Sequence, residues 1–275
     1  CLQVSNYTIL HSIIDCIISI KHSRMLKGGK LQYHPLIDPY VNRFVGVHEG
    51  GVLEALAHFK RAVDGQAMDM PATLFTLLVT ELTQVGMQMM RSEEGLERVA
   101  GVRVLTVLMD VTDETQVKRR LDFLRETRRL IEEDHGGGFH RDNGTECAGF
   151  CDAVASAWAH AAEVGSTPEV QLLKENFKVL LDSWLVDIKS ETRRYAALSI
   201  LAALCQTVPT LFYDGGDQAL HESLGAATDS KTHIREAAAY CVGSLLALVR
   251  DRERFEEFYK KLRHQIEKGL AKDAS

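Results

Sequence analysis

Apolar positions recur at helical spacing along most of this chain. From about residue 50 onward the i, i+3, i+4 pattern predicts helices near 51–63, 72–91, 96–111, 115–134, 146–164, 169–187, 191–207, 216–227, 232–250 and 253–270. Strand-like alternation is almost absent. Breaks are expected where Asp69 precedes Pro71, where Thr167 caps a helix with Pro168 in its first turn, and where Pro209 and Gly215-Gly216 interrupt the pattern. The segment 169–187 is amphipathic, with Leu173, Phe177, Leu180, Leu181 and Trp184 on one stripe. By contrast 195–205 and 237–249 are apolar almost all round, so both are expected to be covered on more than one side.

The stretch Asp187-Ile-Lys-Ser-Glu-Thr-Arg193-Arg194-Tyr-Ala-Ala returns 42 residues later as Asp229-Ser-Lys-Thr-His-Ile-Arg235-Glu-Ala-Ala-Ala. A period of about 40–47 residues with two helices per unit is that of HEAT and armadillo arrays, whose units cannot bury their apolar faces alone. The expectation is therefore an all-α fold, an α-α superhelix built as a solenoid of antiparallel helix pairs over residues 51–275. Residues 134–144, with four glycines in eleven positions, read as a loop between helices. Residues 1–50, broken by Gly28-Gly29, Pro35 and Pro39, are a poorly defined segment or cap.

Composition changes this picture little. The net charge of −6 argues against a dedicated nucleic-acid surface. Cysteines at 1, 16, 147, 151, 205 and 241 do not form the dense framework of a small secreted domain, and a reducing, cytoplasmic setting is expected, which discounts the sequons at Asn6 and Asn143. The apolar run from Thr8 to Ile20 is too short to span a bilayer and does not read as a signal peptide. It is expected to be one buried helix or strand. Cys1 in the first position points to a fragment of a longer protein.

Few residues carry candidate chemistry. His135, His140, Cys147 and Cys151 offer zinc-ligand types, but their spacing matches no standard finger and Cys151 fits a core position better. His140-Arg141-Asp142 spells the start of a kinase catalytic loop, yet Cys147 stands where the magnesium-binding asparagine would be, and neither G-x-G-x-x-G nor D-F-G is present. Lys118, Arg119, Arg120, Arg125, Arg128 and Arg129 alternate with Asp122, Glu126, Glu132 and Glu133, as expected of a solvated helix face. Met87, Met89 and Met90 read as core filling. Arg193, Arg194 and Arg235 follow Asp187 or Asp229 by about six residues, and their expected role is an aspartate-to-arginine ladder bracing successive turns. No catalytic, cofactor-binding or metal site is expected.

Glu191-Thr-Arg-Arg-Tyr-Ala-Ala-Leu-Ser-Ile-Leu-Ala-Ala-Leu-Cys-Gln-Thr-Val-Pro209-Thr-Leu-Phe212-Tyr, followed by His233-Ile-Arg-Glu-Ala-Ala-Ala-Tyr, resembles the N-terminal HEAT region of the target-of-rapamycin (TOR) protein kinases. In that family an R-R-x-A-A helix runs into V-P-x-x-F and an A-I-R-E-x-A helix follows. Lys268-Gly269 and Leu270-Ala271-Lys272 are similar to the family's K-G-F-x-x-x-L-A-K end, and Glu97-Arg98-Val-Ala-Gly101 to its E-R-x-G-G helix. The likeness is close over roughly 165–272, weaker over 72–165, and absent over 1–50. It implies a scaffold fragment of a serine/threonine kinase of the phosphatidylinositol-3-kinase-related class, acting in growth and nutrient signalling, with its catalytic domain outside this chain. The partners it implies are regulatory subunits of a dimeric complex and, in some members, an activating small GTPase. The implied location is cytoplasmic, or peripheral on endomembranes through partners. The alternative is an unrelated HEAT adaptor, such as a transport receptor or chaperone-type scaffold.

Overall fold

A computed structural model of the chain describes residues 34–45, 49–133 and 144–273. Every regular element among them is helical. In chain order they are α1 (Val41–Phe44), α2 (Glu49–Asp69), α3 (Ala72–Met90), α4 (Gly95–Leu108), α5 (Gln116–Glu133), α6 (Thr145–Val164), α7 (Thr167–Val179), α8 (Glu191–Thr207), α9 (Phe212–Ala226), α10 (Thr232–Leu246) and α11 (Arg252–Asp273). Short 3-10 turns lead into α1 and α9, and a π-turn, Leu180–Trp184, extends α7. No single helix among the described residues is long and apolar enough to cross a membrane.

The helices fall into two layers. Helices α4, α6, α8 and α10 pack side by side in chain order, while α5, α7 and α9 form the second layer with the π-turn joining α7 to α9. Helix α8 lies between α6 and α10 and is covered by the second layer, so Ala196, Ala197, Leu198, Ile200, Leu201, Ala202 and Leu204 are all buried. Small residues let these helices approach closely. A methyl group on Gly101 of α4 would stand 2.5 Å from the Met90 amide nitrogen and 2.8 Å from the Gly86 carbonyl oxygen of α3. The adjacent Met89 and Met90 are fully buried in two different apolar clusters, and α4 borders both.

Several sequence expectations are corrected. Gly215 and Gly216 do not break the chain: they lie inside α9, where a methyl on Gly215 would meet Phe177 at 2.8 Å. The glycine is there for the close approach of α9 to α7. The N-cap of α7 is Ser166 and not Thr167; Ser166 and Glu169 form a capping box with Pro168 at the first turn. Helix α10 ends at Leu246, and its face carrying Ala239, Tyr240 and Gly243 is exposed, so it is not covered as α8 is. The boundary drawn at residue 50 also cuts through a packed unit. Ile37 and Phe44 are fully buried, the rings of Tyr40, Phe44 and Phe59 pack at 5.7–5.9 Å, and Arg103 of α4 donates to the Phe44 carbonyl. The run at 8–20 and the glycine loop at 134–143 lie outside the described residues.

The α3–α4 contact makes opposite predictions for two glycines. Gly101→Ala forces a methyl into backbone atoms and is expected to cost about 2 kcal/mol. Gly65→Ala, inside α2 with nothing within 4 Å of the added carbon, should add about 1 kcal/mol through helix propensity. Urea unfolding measures both, and a Gly101→Ala midpoint equal to that of the parent would refute the close packing.

Candidate functional site

Among the described residues, an extended polar construction lies at the turns between helices. A helix end leaves carbonyls without intrahelical partners and carries partial negative charge, so a guanidinium brought to it satisfies several acceptors at once. Asp187 and Asp229 each start such a turn. Asp187 Oδ1 accepts from the Lys189 amide at 3.1 Å, and Asp229 Oδ1 accepts from the Lys231 amide at 2.8 Å. These short loops place the arginines at the first turns of α8 and α10.

The expected pairs form only in part. Arg193 Nη1 lies 3.1 Å from Asp187 Oδ2, and its Nη2 donates back to the Glu132 carbonyl at the end of α5. Arg235, in contrast, does not pair with the Asp229 carboxylate. It donates to the carbonyls of Asp229 and Ser230 at 2.9 and 3.0 Å and to Thr232 Oγ1 at 3.0 Å. The Asp229 carboxylate is taken by Arg194 of the preceding unit, whose Nε also donates to the Leu185 carbonyl at 3.3 Å. Arg194 is 8% exposed, so this bond joins two successive turns through a nearly dry interface. Lys231 and His233 approach Glu191 at 3.0 and 3.4 Å across the same junction.

A third such turn escaped sequence reading, although its signal is present. Asp113-x5-Arg119-Arg120 repeats the spacing of Asp187-x5-Arg193-Arg194. Asp113 Oδ1 accepts from the Thr115 amide at 2.9 Å, and Arg119 binds Asp113 at 3.2 Å while donating to the Leu108 and Val111 carbonyls at 2.9 and 2.7 Å. Arg120 donates to the Met109 carbonyl at 2.9 Å and reaches the next turn at the Val164 carbonyl, 3.0 Å away, with Glu169 at 3.5 Å. These two arginines are 4% and 7% exposed, which corrects their assignment to a solvated face. At the first turn of α5 they point at the carbonyl end of α4, and that end outcompetes water for them.

The rest of the basic series does lie at the surface. Arg125 pairs with Asp122 at 3.6 Å and Arg128 with Glu132 at 2.9 Å. Arg129 and Arg91 converge on Glu126, and hydrogen bonds from Arg129 and then Arg91 hold its carboxyl at about 2, against the opposing effect of its partial burial. Glu126 thereby ties α3 to α5 beside a groove of about 750 Å³ whose walls include Thr80, Thr83, Gln88, Lys118 and Arg125.

Pro209 opens the 3-10 turn into α9, and Phe212 packs edge-on against Phe177 with ring centroids 5.0 Å apart. Cys147 and Cys151 face the core of α6. Contact with Cys147 and complete burial push the Cys151 thiol well above its ordinary range. Burial likewise raises Cys205 to about 11 and Cys241 to about 12. His135, His140 and Asp142 lie outside the described residues. Among the described residues no group of three or more His, Cys, Asp or Glu could hold a metal ion. No protein-family model and no curated protein matches this chain.

The braces differ in what their loss should do. Arg194→Met strands the Asp229 carboxylate and the Leu185 carbonyl in a poorly hydrated junction, and should cost about 3 kcal/mol in urea unfolding. Arg235→Met removes bonds confined to one half-exposed turn and should cost about 1 kcal/mol. Equal losses would contradict the assignment of Arg194 as the inter-unit brace. Glu126 yields a pH prediction. Its folded-state value lies below the ordinary 4.5, so its contribution is complete above that value and fades as pH falls from about 4.5 to about 2. The Tm difference between the parent and Glu126→Gln should therefore be present near neutrality and gone by about pH 2; a difference independent of pH would exclude the ion-pair origin.

Proposed function

We propose that this chain is a scaffold of HEAT/armadillo type, its helix pairs winding into an α-α superhelix that presents an extended surface to protein partners. The observation that carries the reading is the recurring Asp-x5-Arg-Arg turn, whose second arginine reaches the following turn both at Arg120 and at Arg194. A device that links each unit to the next is what an array of nearest-neighbour contacts needs. The order of packed helices, α4, α6, α8, α10, supports the same reading.

Within that class, the run from Glu191 to Tyr213 and the helix after His233 favour the N-terminal HEAT region of a TOR-type serine/threonine kinase. The chain then serves complex assembly in growth and nutrient signalling, and phosphate transfer belongs to a domain outside it. Its partners are regulatory subunits and, by the same resemblance, a small GTPase. The buried state of Phe212 and the placement of Pro209 at the α8–α9 corner fit the V-P-x-x-F element of that family. The competing adaptor reading shares the helix grammar and lacks the kinase.

Two measurements test these levels separately. Small-angle scattering of the purified chain should give an elongated pair-distance distribution; a symmetric globular one would reject the superhelix. Sequencing the transcript past the Ser275 codon should run into a frame encoding a kinase domain with its glycine-rich loop and D-F-G. A stop codon there would reject the TOR reading and leave the adaptor.

A further inference from the structure

The groove between α3 and α5 has a charge balance opposite to that of the chain. The sequence as a whole carries a net charge of −6, yet the walls bring Arg91 of α3 together with Lys118, Arg119, Arg125 and Arg129 of α5 against the carboxylates of Asp122 and Glu126. Internal pairing does not use up these cations. The charge of Arg119 is spent on Asp113. Glu126, its side chain only 12% exposed, is shared by Arg91 at 2.5 Å and Arg129 at 2.6 Å, so two half-exposed guanidiniums stand on one carboxylate; Arg129 also holds Glu133, at the end of α5, at 2.5 Å. Arg125 approaches Asp122 only to 3.6 Å, with both side chains open to water. Lys118 is exposed and makes no ion pair among the described residues.

The shape of the groove selects among anions. Lys118 and Arg129 lie about 16 Å apart along α5 at the helical rise, and the facing wall runs for about the same length from Thr80 to Arg91 of α3. A compact anion reaches one end, whereas a run of carboxylates reaches both. An extended segment of about five residues covers that length at about 3.3 Å each. A helix about 10 Å wide would need about 1,250 Å³ over the same length, against the 750 Å³ of the groove. The walls also suit an extended backbone, whose amides and carbonyls lack partners of their own. Gln84 and Gln88 are exposed on the α3 wall, and their side-chain amides make no hydrogen bond among the described residues. Met87 alone is apolar among the described wall residues, so an apolar helix face finds little to cover.

We propose that the groove between α3 and α5 docks an extended acidic segment of a partner protein, its carboxylates meeting Lys118 and Arg125 along one stretch and Arg91 and Arg129 along the other. The backbone of the segment lies against Gln84 and Gln88. The proposal rests on the scaffold reading only in taking a protein as the partner. Scattering is indifferent to peptide binding, so either can fail without the other.

The probe is a capped, fluorescein-labelled hexaglutamate, titrated with the full chain by fluorescence anisotropy at low salt, where exposed charges are least screened. It should bind, and labelled hexaglutamine should not. Lys118→Glu, at an exposed position, should weaken binding at least about tenfold with Tm unchanged. Asp122→Asn releases Arg125 and should tighten binding about threefold, a direction that damage to the fold would not produce. Lys174→Glu and Lys178→Glu, at exposed lysines of the smaller groove beside α7 and α9, should leave it unchanged. Absence of binding, a loss as large for Lys174→Glu as for Lys118→Glu, or no gain from Asp122→Asn overturns the proposal. Tighter binding of a thymidine oligonucleotide of the same charge, with the same dependence on Lys118, also overturns it and assigns the groove to a phosphate backbone.

Discussion

Stacked helices bury their sides easily but not their ends. Each turn leaves carbonyls that the preceding helix cannot satisfy, and when units pack closely those carbonyls are cut off from water. Arg119 answers this for Leu108 and Val111, Arg120 for Met109 and Val164, and Arg194 for Leu185. A lysine could not replace them, since one ammonium lacks the planar spread of donors that lets a single side chain hold a carbonyl in one turn and a carboxylate or carbonyl in another. The aspartates serve twice in the same construction. Each uses one oxygen to close its own turn on the amide two residues ahead, and Asp113, Asp187 and Asp229 all also bind an arginine.

With the turns held, the layers between them can be close. Helix α4 approaches α3 over Gly101 and Gly86, and α9 approaches α7 over Gly215. The π-turn at Leu180–Trp184 belongs to this same demand. Its wider backbone, marked by the Leu185 amide bonding the Leu180 carbonyl at 2.9 Å, accompanies the burial of Leu180, Leu181, Trp184 and Leu185 together. These side chains fill the space between α7, α8 and α9, where Phe177 and Phe212 meet.

Most of the helices were legible because their apolar stripes and their breakers agree. The stripe of Leu173, Phe177, Leu180, Leu181 and Trp184 is buried as read, and Asp69 ends α2 before Pro71. What misled were residues whose meaning depends on a neighbour distant in sequence. Gly215 signals a turn locally, yet it is helical because Phe177 lies against it. Arg119 and Arg120 sit in a run of charges that looks solvated, and only the carbonyl end of α4 shows why they are buried. The Asp-x5-Arg-Arg spacing would have separated them from Arg125 and Arg129. Arg235 shows the reverse case: it keeps the spacing from Asp229, but Arg194 of the preceding unit already holds that carboxylate.

The bracing therefore has a direction along the chain. Arg193 reaches back to Glu132, Arg194 reaches forward to Asp229, and Arg235 turns onto the backbone of its own turn. Position for position, Glu236 stands where Arg194 stands, with the opposite charge, and it faces solvent. A forward link made of a guanidinium tolerates only an acceptor opposite it, whereas one made of a carboxylate tolerates only a donor. Glu236 therefore cannot repeat the bond that Arg194 makes to a carboxylate. Stability at these junctions comes from the arginine turns and the glycine-lined contacts together, the first holding the helix ends and the second letting the helix sides meet.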